Sequence, residues 1–174
     1  IIHRHCAGNN ELEQLLLQHS RDVARRALQV ADRHPELGLN REFLQEAAML
    51  HDIGITLVDA PGIHCHGTEP YIRHGLMGGE ILRQEGLPMH ARVAERHTGT
   101  GITREAIEKQ GLPLPLADYV PETERPKVYR TARIWLAIYV GAVAGAAITA
   151  APTSSVVPRP HIGSYRRTGI SGAK

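Results

Sequence analysis

Cysteine is scarce in this chain of 174 residues. Cys6 and Cys65 are the only two, too few for a disulfide framework, and a reducing cytoplasm is the simpler expectation. Neither sign of charge is in marked excess. A formal net charge of +2 gives no electrostatic case for nucleic acid or an anionic membrane as the main partner. The opening residues IIHRHCAGNN lack the long apolar core of a signal peptide. Strict period-2 alternation is missing throughout, which excludes a strand-built fold and predicts an all-α one. Acidic residues are missing altogether after Glu124, and phenylalanine occurs once, against eleven histidines. Histidine is the commonest metal ligand, so that excess directs attention to where the imidazoles sit.

What is present reads as one domain with one core, long enough to fold without disulfides. Leu12, Leu15, Leu16, His19, Val23, Ala27 and Val30 recur at three- and four-residue steps, predicting an amphipathic helix from Glu11 to about His34. His34-Pro35 and Gly38 break it, and Asn40 is placed to cap a second helix over 41–52 that buries Phe43, Ala47, Ala48 and Leu50. A loop rich in Gly, Pro and His follows at 59–70. Further helices are expected at about 70–85, 88–97 and 103–110, then a wrapping loop over 111–126, which carries four prolines. Residues 1–130 are read as the helical domain and 131–174 as an atypical C-terminal segment. Ile134 to Ala151 is an uncharged run at the lower edge of a membrane span, with Gly141 and Gly145 in a GxxxG pair. Its small residues and the soluble character of what precedes it favour a buried closing helix, so no membrane partner is expected. The tail beyond 152, rich in Pro, Ser, Gly and Arg, reads as poorly ordered surface.

His51 and Asp52 end an otherwise apolar helix just before Gly54. A buried ionised Asp is costly unless compensated, and a divalent cation compensates it well. His19 lies on the apolar stripe of the first helix, where a histidine bonded to a backbone carbonyl is the ordinary reading. Its weight rises because His74 and His97 supply further donors on other helices. His90 is seven residues before His97, nearly the same helix face, but two turns apart the pair cannot readily share one ion. One of them is then expected behind the ligands rather than among them. Residues one apart in a loop rarely face one small ion, so His64-Cys65-His66 is expected to line the pocket mouth rather than clip a zinc. His3, His5 and Cys6 carry no functional reading. Arg73, Arg96 and Lys109 are candidate phosphate contacts, with a solvated charge the competing reading for the two arginines.

The string His19-Ser20-Arg21-Asp22-Val23-Ala24, Ala48-Met49-Leu50-His51-Asp52-Ile53-Gly54, His74-Gly75 and Glu95-Arg96-His97-Thr98-Gly99-Thr100-Gly101-Ile102 resembles the HD superfamily, in particular its HDIG-containing phosphohydrolases. The resemblance covers roughly residues 11–123. It implies an all-α HD-domain helical bundle in which His19, His51 and Asp52 hold one divalent metal, and His74 and His97 help hold a second. Catalysis would centre on His51 and Asp52. Mixed imidazole and carboxylate ligation suits Fe, Mn, Zn, Co or Ni, and the expected reaction is hydrolysis of a small phosphorylated substrate by a metal-activated water. Similar proteins carry a late Ala-Asp pair whose Asp is the last ligand. Here the corresponding place reads Thr131-Ala132-Arg133-Ile134. Either Asp118, Glu122 or Glu124 substitutes, or the site is incomplete, or the C-terminal third is not the family's sequence. The Tyr-Pro of the related cyclic-dinucleotide phosphodiesterases is absent, so that substrate is not implied. Two rival readings stay open: a di-iron oxygenase on the same fold, and a non-catalytic nucleotide-binding module. Homo-oligomer formation is left open.

Overall fold

A computed structural model describes residues 1–98 and 101–120. Glu122, Glu124, Arg133, the apolar run 134–151 and the tail from 152 lie outside the described residues.

Helix α1 spans Ile2–Cys6 and α2 spans Asn10–Arg33. The start of α2 is set by Asn9, whose side chain accepts a hydrogen bond from the Leu12 amide, with Glu11 and Glu13 in the first turn, where acidic groups complement the helix dipole. Its buried stripe runs Leu12, Leu16, Ser20, Val23, Ala24, Ala27, Ala31, a helical period. Helix α3, Arg41–Leu50, starts on Asn40, which accepts from the Phe43 amide. The buried face of α3 is Leu44, Ala47 and Ala48. Phe43 and Leu50 are only half-buried, which corrects the expected face by about one residue. The helix stops at Leu50 rather than Asp52, because Asp52 leaves helical geometry at φ −100°, ψ 12° and opens a 3₁₀ turn over Ile53–Leu57.

The loop that follows carries a minimal antiparallel ladder of β1, Asp59–Ala60, and β2, Cys65–His66, pairing Asp59 with His66 and Ala60 with Cys65. Then come α4 (His74–Gln84), entered through a 3₁₀ turn at Tyr71–Arg73, α5 (Pro88–Arg96) and α6 (Arg104–Gln110). The fold is all-α apart from that small ladder. Helix α1 was not expected. It buries Ile2 and Cys6, and Arg4 and His5 both reach Glu85, at 2.6 and 3.0 Å.

Helix α2 packs chiefly on α3, and α4 on both α5 and the 53–57 turn. These contacts enclose two apolar clusters. One gathers Leu12, Leu16, Ile53, Ile55, Val58, Leu82, Ala91 and Ala94; the other gathers Val23, Ala27, Leu44, Ala47, Ala48 and Val93. Helix α5 serves both. The junction has a chemical signature, since His19 falls between Leu16 and Val23, and His51-Asp52 between Ala48 and Ile53. The polar residues sit where the chain passes from one core to the other.

Candidate metal centre

Asp52 stands at the centre of that junction. Its Oδ2 lies 3.2 Å from His19 Nε2 and 3.3 Å from His51 Nε2. Its Oδ1 lies 2.9 Å from His97 Nε2 and 3.5 Å from His74 Nε2. Two donor groups result, His19-His51-Asp52 and Asp52-His74-His97, each with one atom per residue inside a 4.8 Å span. The carboxylate belongs to both.

Backbone geometry fixes how three of these imidazoles present themselves. His51, His74 and His97 each place Nδ1 2.7 Å from the carbonyl oxygen three residues earlier, those of Ala48, Tyr71 and Ala94. A carbonyl only accepts, so each Nδ1 carries the proton and donates it. In the neutral ring Nε2 then bears the lone pair, and all three lone pairs face Asp52. His74 Nε2 and His97 Nε2 stand 2.9 Å apart, too close for two lone pairs unless a cation or an added proton lies between or beside them. Asp52 Oδ1 is buried and has no hydrogen-bond partner. This is the arrangement a metal-binding histidine needs, its other nitrogen held by a carbonyl. The described donors therefore fit a divalent transition metal and can hold one on either side of Asp52.

The electrostatics agree. Burial would push the Asp52 carboxyl up, but the charges of His51 and His97 and hydrogen-bond contact with His19 and His51 outweigh it, holding it well below the usual carboxylate range. Burial and then the neighbouring His97 push His74 down to about 4, against the opposing pull of Asp52. Asp52 is thus held ionised and His74 neutral, the protonation states a metal requires of these two ligands.

Glycines permit the approach. A Cβ on Gly54 would collide with the His74 carbonyl oxygen and the Gly78 amide, and one on Gly75 would stand 2.8 Å from the Ala94 oxygen. The turn after Asp52, the first turn of α4 and the end of α5 thus meet backbone to backbone.

The structure brings His19, His51, Asp52, His74 and His97 together, and leaves other candidates elsewhere. His90 lies near the other end of α5, two turns before His97. Its ring packs 4.7 Å from Phe43 and its Nε2 lies 3.2 Å from Glu46 Oε2, so it stands neither among nor behind the ligands. Seven residues at 100° each leave the face nearly unchanged, but the two turns of rise set His90 against α3 instead. Asp118 is exposed and accepts a hydrogen bond from the Arg104 amide at 2.9 Å, which occupies it at the start of α6 rather than at the cluster. Arg73 bonds Glu69 at 2.5 Å and Arg96 bonds Glu95 at 3.2 Å; each immediately precedes a cluster histidine. Lys109 is exposed on α6. Cys65 is buried in the core while His66 is exposed and His64 reaches out to Glu11 at 3.4 Å, so the three do not converge as a zinc clip would. Cys6 and Cys65 are free thiols, and burial is the main cause that pushes both up, Cys65 to about 11.

Sequence reasoning missed Tyr71. Its carbonyl orients His74 and its ring lies 4.7 Å from that imidazole. A backbone acceptor three residues ahead of a histidine leaves no trace in residue types.

No solved structure matches this chain. It is similar to a tRNA (cytidine(56)-2′-O)-methyltransferase of Picrophilus torridus, 36% identical over 117 residues, which are 67% of this chain and 30% of the relative. A protein of the same name from Thermoplasma volcanium is 33% identical over 109 residues, 62% of this chain and 28% of that one. An uncharacterized protein of Methanocaldococcus jannaschii is 43% identical over 89 residues, 50% of this chain and 44% of that one. The chain thus spans less than half the length of each of these relatives. The family model for the HD domain matches residues 16–128, the stretch that contributes all five residues of the cluster, Asp52 included, and the chain belongs to the HD domain family.

Proposed function

We propose that this HD domain is a metal-dependent phosphohydrolase acting on a phosphoester, a nucleotide or a small phosphorylated metabolite. The observation that carries the reading is the convergence of four imidazole Nε2 atoms on the two oxygens of one buried carboxylate. His19, His51 and Asp52 would hold one ion, and Asp52, His74 and His97 a second, from among Fe, Mn, Zn, Co and Ni. Ions bound there supply Lewis acidity and an activated water suited to displacement at phosphorus. The protein's own part is preorganisation. Three backbone carbonyls fix the imidazole tautomers, and the depressed Asp52 stays ionised. The carboxylate couples the two triads, so the charge and position of one side depend on the other. Arg73 and Arg96 are the basic groups next to the ligands, and in this reading they orient phosphate oxygens.

The names of two relatives support a second reading of the substrate, in which the phosphoester belongs to RNA. Among the described residues no helix is long and apolar enough to cross a membrane, and two free thiols suit a reducing compartment.

The test is to strip the purified chain with chelator, reload it with each metal, and follow phosphate release over nucleotides, phosphomonoesters and RNA with terminal phosphates. Release that requires metal and disappears in Asp52→Asn is expected. Oxygen consumption without phosphate release would move the reading to an oxygenase. Nucleotide binding without turnover under any metal would make it a regulatory module.

A further inference from the structure

Helix α4 carries Gly75, Gly78 and Gly79 within its eleven residues, although glycine inside a helix is destabilising relative to alanine. The first two admit other backbone, since Ala94 and Gly54 approach them closely. Gly79 admits a side chain instead. A Cβ there would stand 2.4 Å from Cγ of Glu95 and 2.8 Å from its Oε1, so Glu95 lies flat on the bare backbone of α4.

The Glu95 side chain is only 9% exposed, and its carboxylate serves two arginines. Oε1 accepts from Arg83 Nη2 at 2.5 Å, and Oε2 accepts from Arg96 Nη1 at 3.2 Å. A carboxylate this well covered needs a cation to offset its burial, and Arg83 supplies one from α4. The second oxygen, turned to Arg96, exceeds that need.

Arg96 immediately precedes the cluster residue His97. Neighbours on a helix diverge by about 100°, so α5 by itself does not aim Arg96 where His97 points. Glu95 draws its guanidinium round to the α4 side, on which His74 opens that helix and Arg73 precedes it. Tyr119 senses the same grouping. Burial and then the Glu95 charge push its phenol up, while Arg73 and Arg96 pull it back. Arg73 has its own carboxylate in Glu69, but those side chains are 29% and 31% exposed, so water competes for that pair. The firmer hold is the one on Arg96.

We propose that Glu95 is a positioning residue for phosphate recognition: seated on Gly79 and neutralised by Arg83, it holds the Arg96 guanidinium on the α4 side of the metal centre, where Arg96 bonds an oxygen of the bound phosphoryl group. The identity of the anion rests on the phosphohydrolase reading; the seating of Arg96 does not.

The probe is inorganic phosphate, titrated calorimetrically into the metal-loaded full chain, with metal per chain measured on the same samples. Arg96→Ala and Glu95→Ala are each expected to weaken phosphate binding about tenfold, the scale of one charge-assisted hydrogen bond. Because Glu95 acts through Arg96, the double variant should bind no more weakly than Arg96→Ala alone. Gly79→Ala crowds Glu95 without altering any charge and should reproduce the loss. Metal content should stay at the parental level throughout. Glu95→Gln, which keeps the buried volume, carries the same cycle where the alanine variant does not fold. Undiminished phosphate binding in the Glu95 variants would overturn the proposal, as would losses that add in the double variant. Phosphate affinity that falls together with metal content would also overturn it, and so would a parent chain that binds no phosphate. If the cycle holds but the parent releases phosphate from no phosphoester, the role of Glu95 stands and the hydrolase reading falls. Metal-dependent release without the cycle would do the reverse.

Discussion

The two ends of α5 each set a histidine with a largely covered side chain against another helix, and the outcomes differ. His97 directs Nδ1 to a carbonyl and Nε2 to Asp52 and His74. The side chains of both histidines are 9% exposed, yet His90 meets the ring of Phe43 and the carboxylate of Glu46, whose side chain is 55% exposed. Burial does not separate the two situations. What separates them is whether the neighbouring polar atoms are themselves buried and short of protons. At the His97 end three imidazoles donate backward to carbonyls and leave lone pairs facing one carboxylate, so a cation or an added proton is needed to complete the arrangement. At the His90 end the partner carboxylate keeps its contact with water and nothing further is required.

Several substitutions would break that contrast or sharpen it. The largest effect is expected from Asp52→Asn, which removes the charge both triads share. Phosphate release should fall by more than about 100-fold, above the loss typical of a residue that only supports a ligand, and metal per chain measured by plasma mass spectrometry should fall with it. Retention of full metal content would show that the carboxylate is not the common ligand. His19→Ala and His74→Ala divide the centre: with two ions, each variant should keep one of them, whereas a single shared ion would be lost from both.

Gly54→Ala tests the backbone contact that holds the HD turn on α4. Its methyl has no room between the His74 carbonyl and Gly78, so a loss of about 3 kcal/mol is expected, at the upper end for overpacking, read by urea denaturation. An unchanged midpoint would mean that the α4 approach is looser than described. His90→Ala should cost about 1 kcal/mol through lost packing and a hydrogen bond, while metal content and activity stay at the parental level. A drop in metal content would erase the distinction between the two ends of α5.

The smallest effect concerns α1. The hydrogen bond from His5, against some burial and aided by Arg4, holds the Glu85 carboxyl below its ordinary value. A carboxylate with a lowered folded value stabilises above the usual carboxylate range and loses that contribution as pH falls through the lowered value. Glu85→Gln should accordingly lower the protection factors of the Ile2–Cys6 amides at neutral pH and abolish any further loss of protection on acidification. Identical exchange in both proteins would assign the anchoring of α1 to Ile2 and Cys6 alone.

Much of this was legible in residue order. Helices α2 to α6 fall within a few residues of the expected segments, because apolar spacing and the Asn9 and Asn40 caps are local signals. The five residues of the Asp52 cluster were likewise named by the family resemblance. The misses share a physical cause. Helix α1 is five residues long and owes its place to Glu85, some eighty positions away. Asp118 looked available as a ligand until the Arg104 amide was seen to occupy it. The face of α3 is rotated because the packing of α2 and α5, not the hydropathy of α3 alone, chooses Leu44 over Phe43.

By itself the sequence determined the helical character, the main breaks between helices, and which residue types could meet a metal. These follow from short-range rules: spacing along a helix, capping hydrogen bonds, and the chemistry of imidazole and carboxylate. Only the tertiary structure decided that His90 stands apart from the cluster histidines, which nitrogen each of those offers, and that Asp52 lends one oxygen to each pair. Those choices depend on carbonyls presented by neighbouring turns and on glycines that let three backbone segments touch, and no local pattern along the chain encodes a contact between segments.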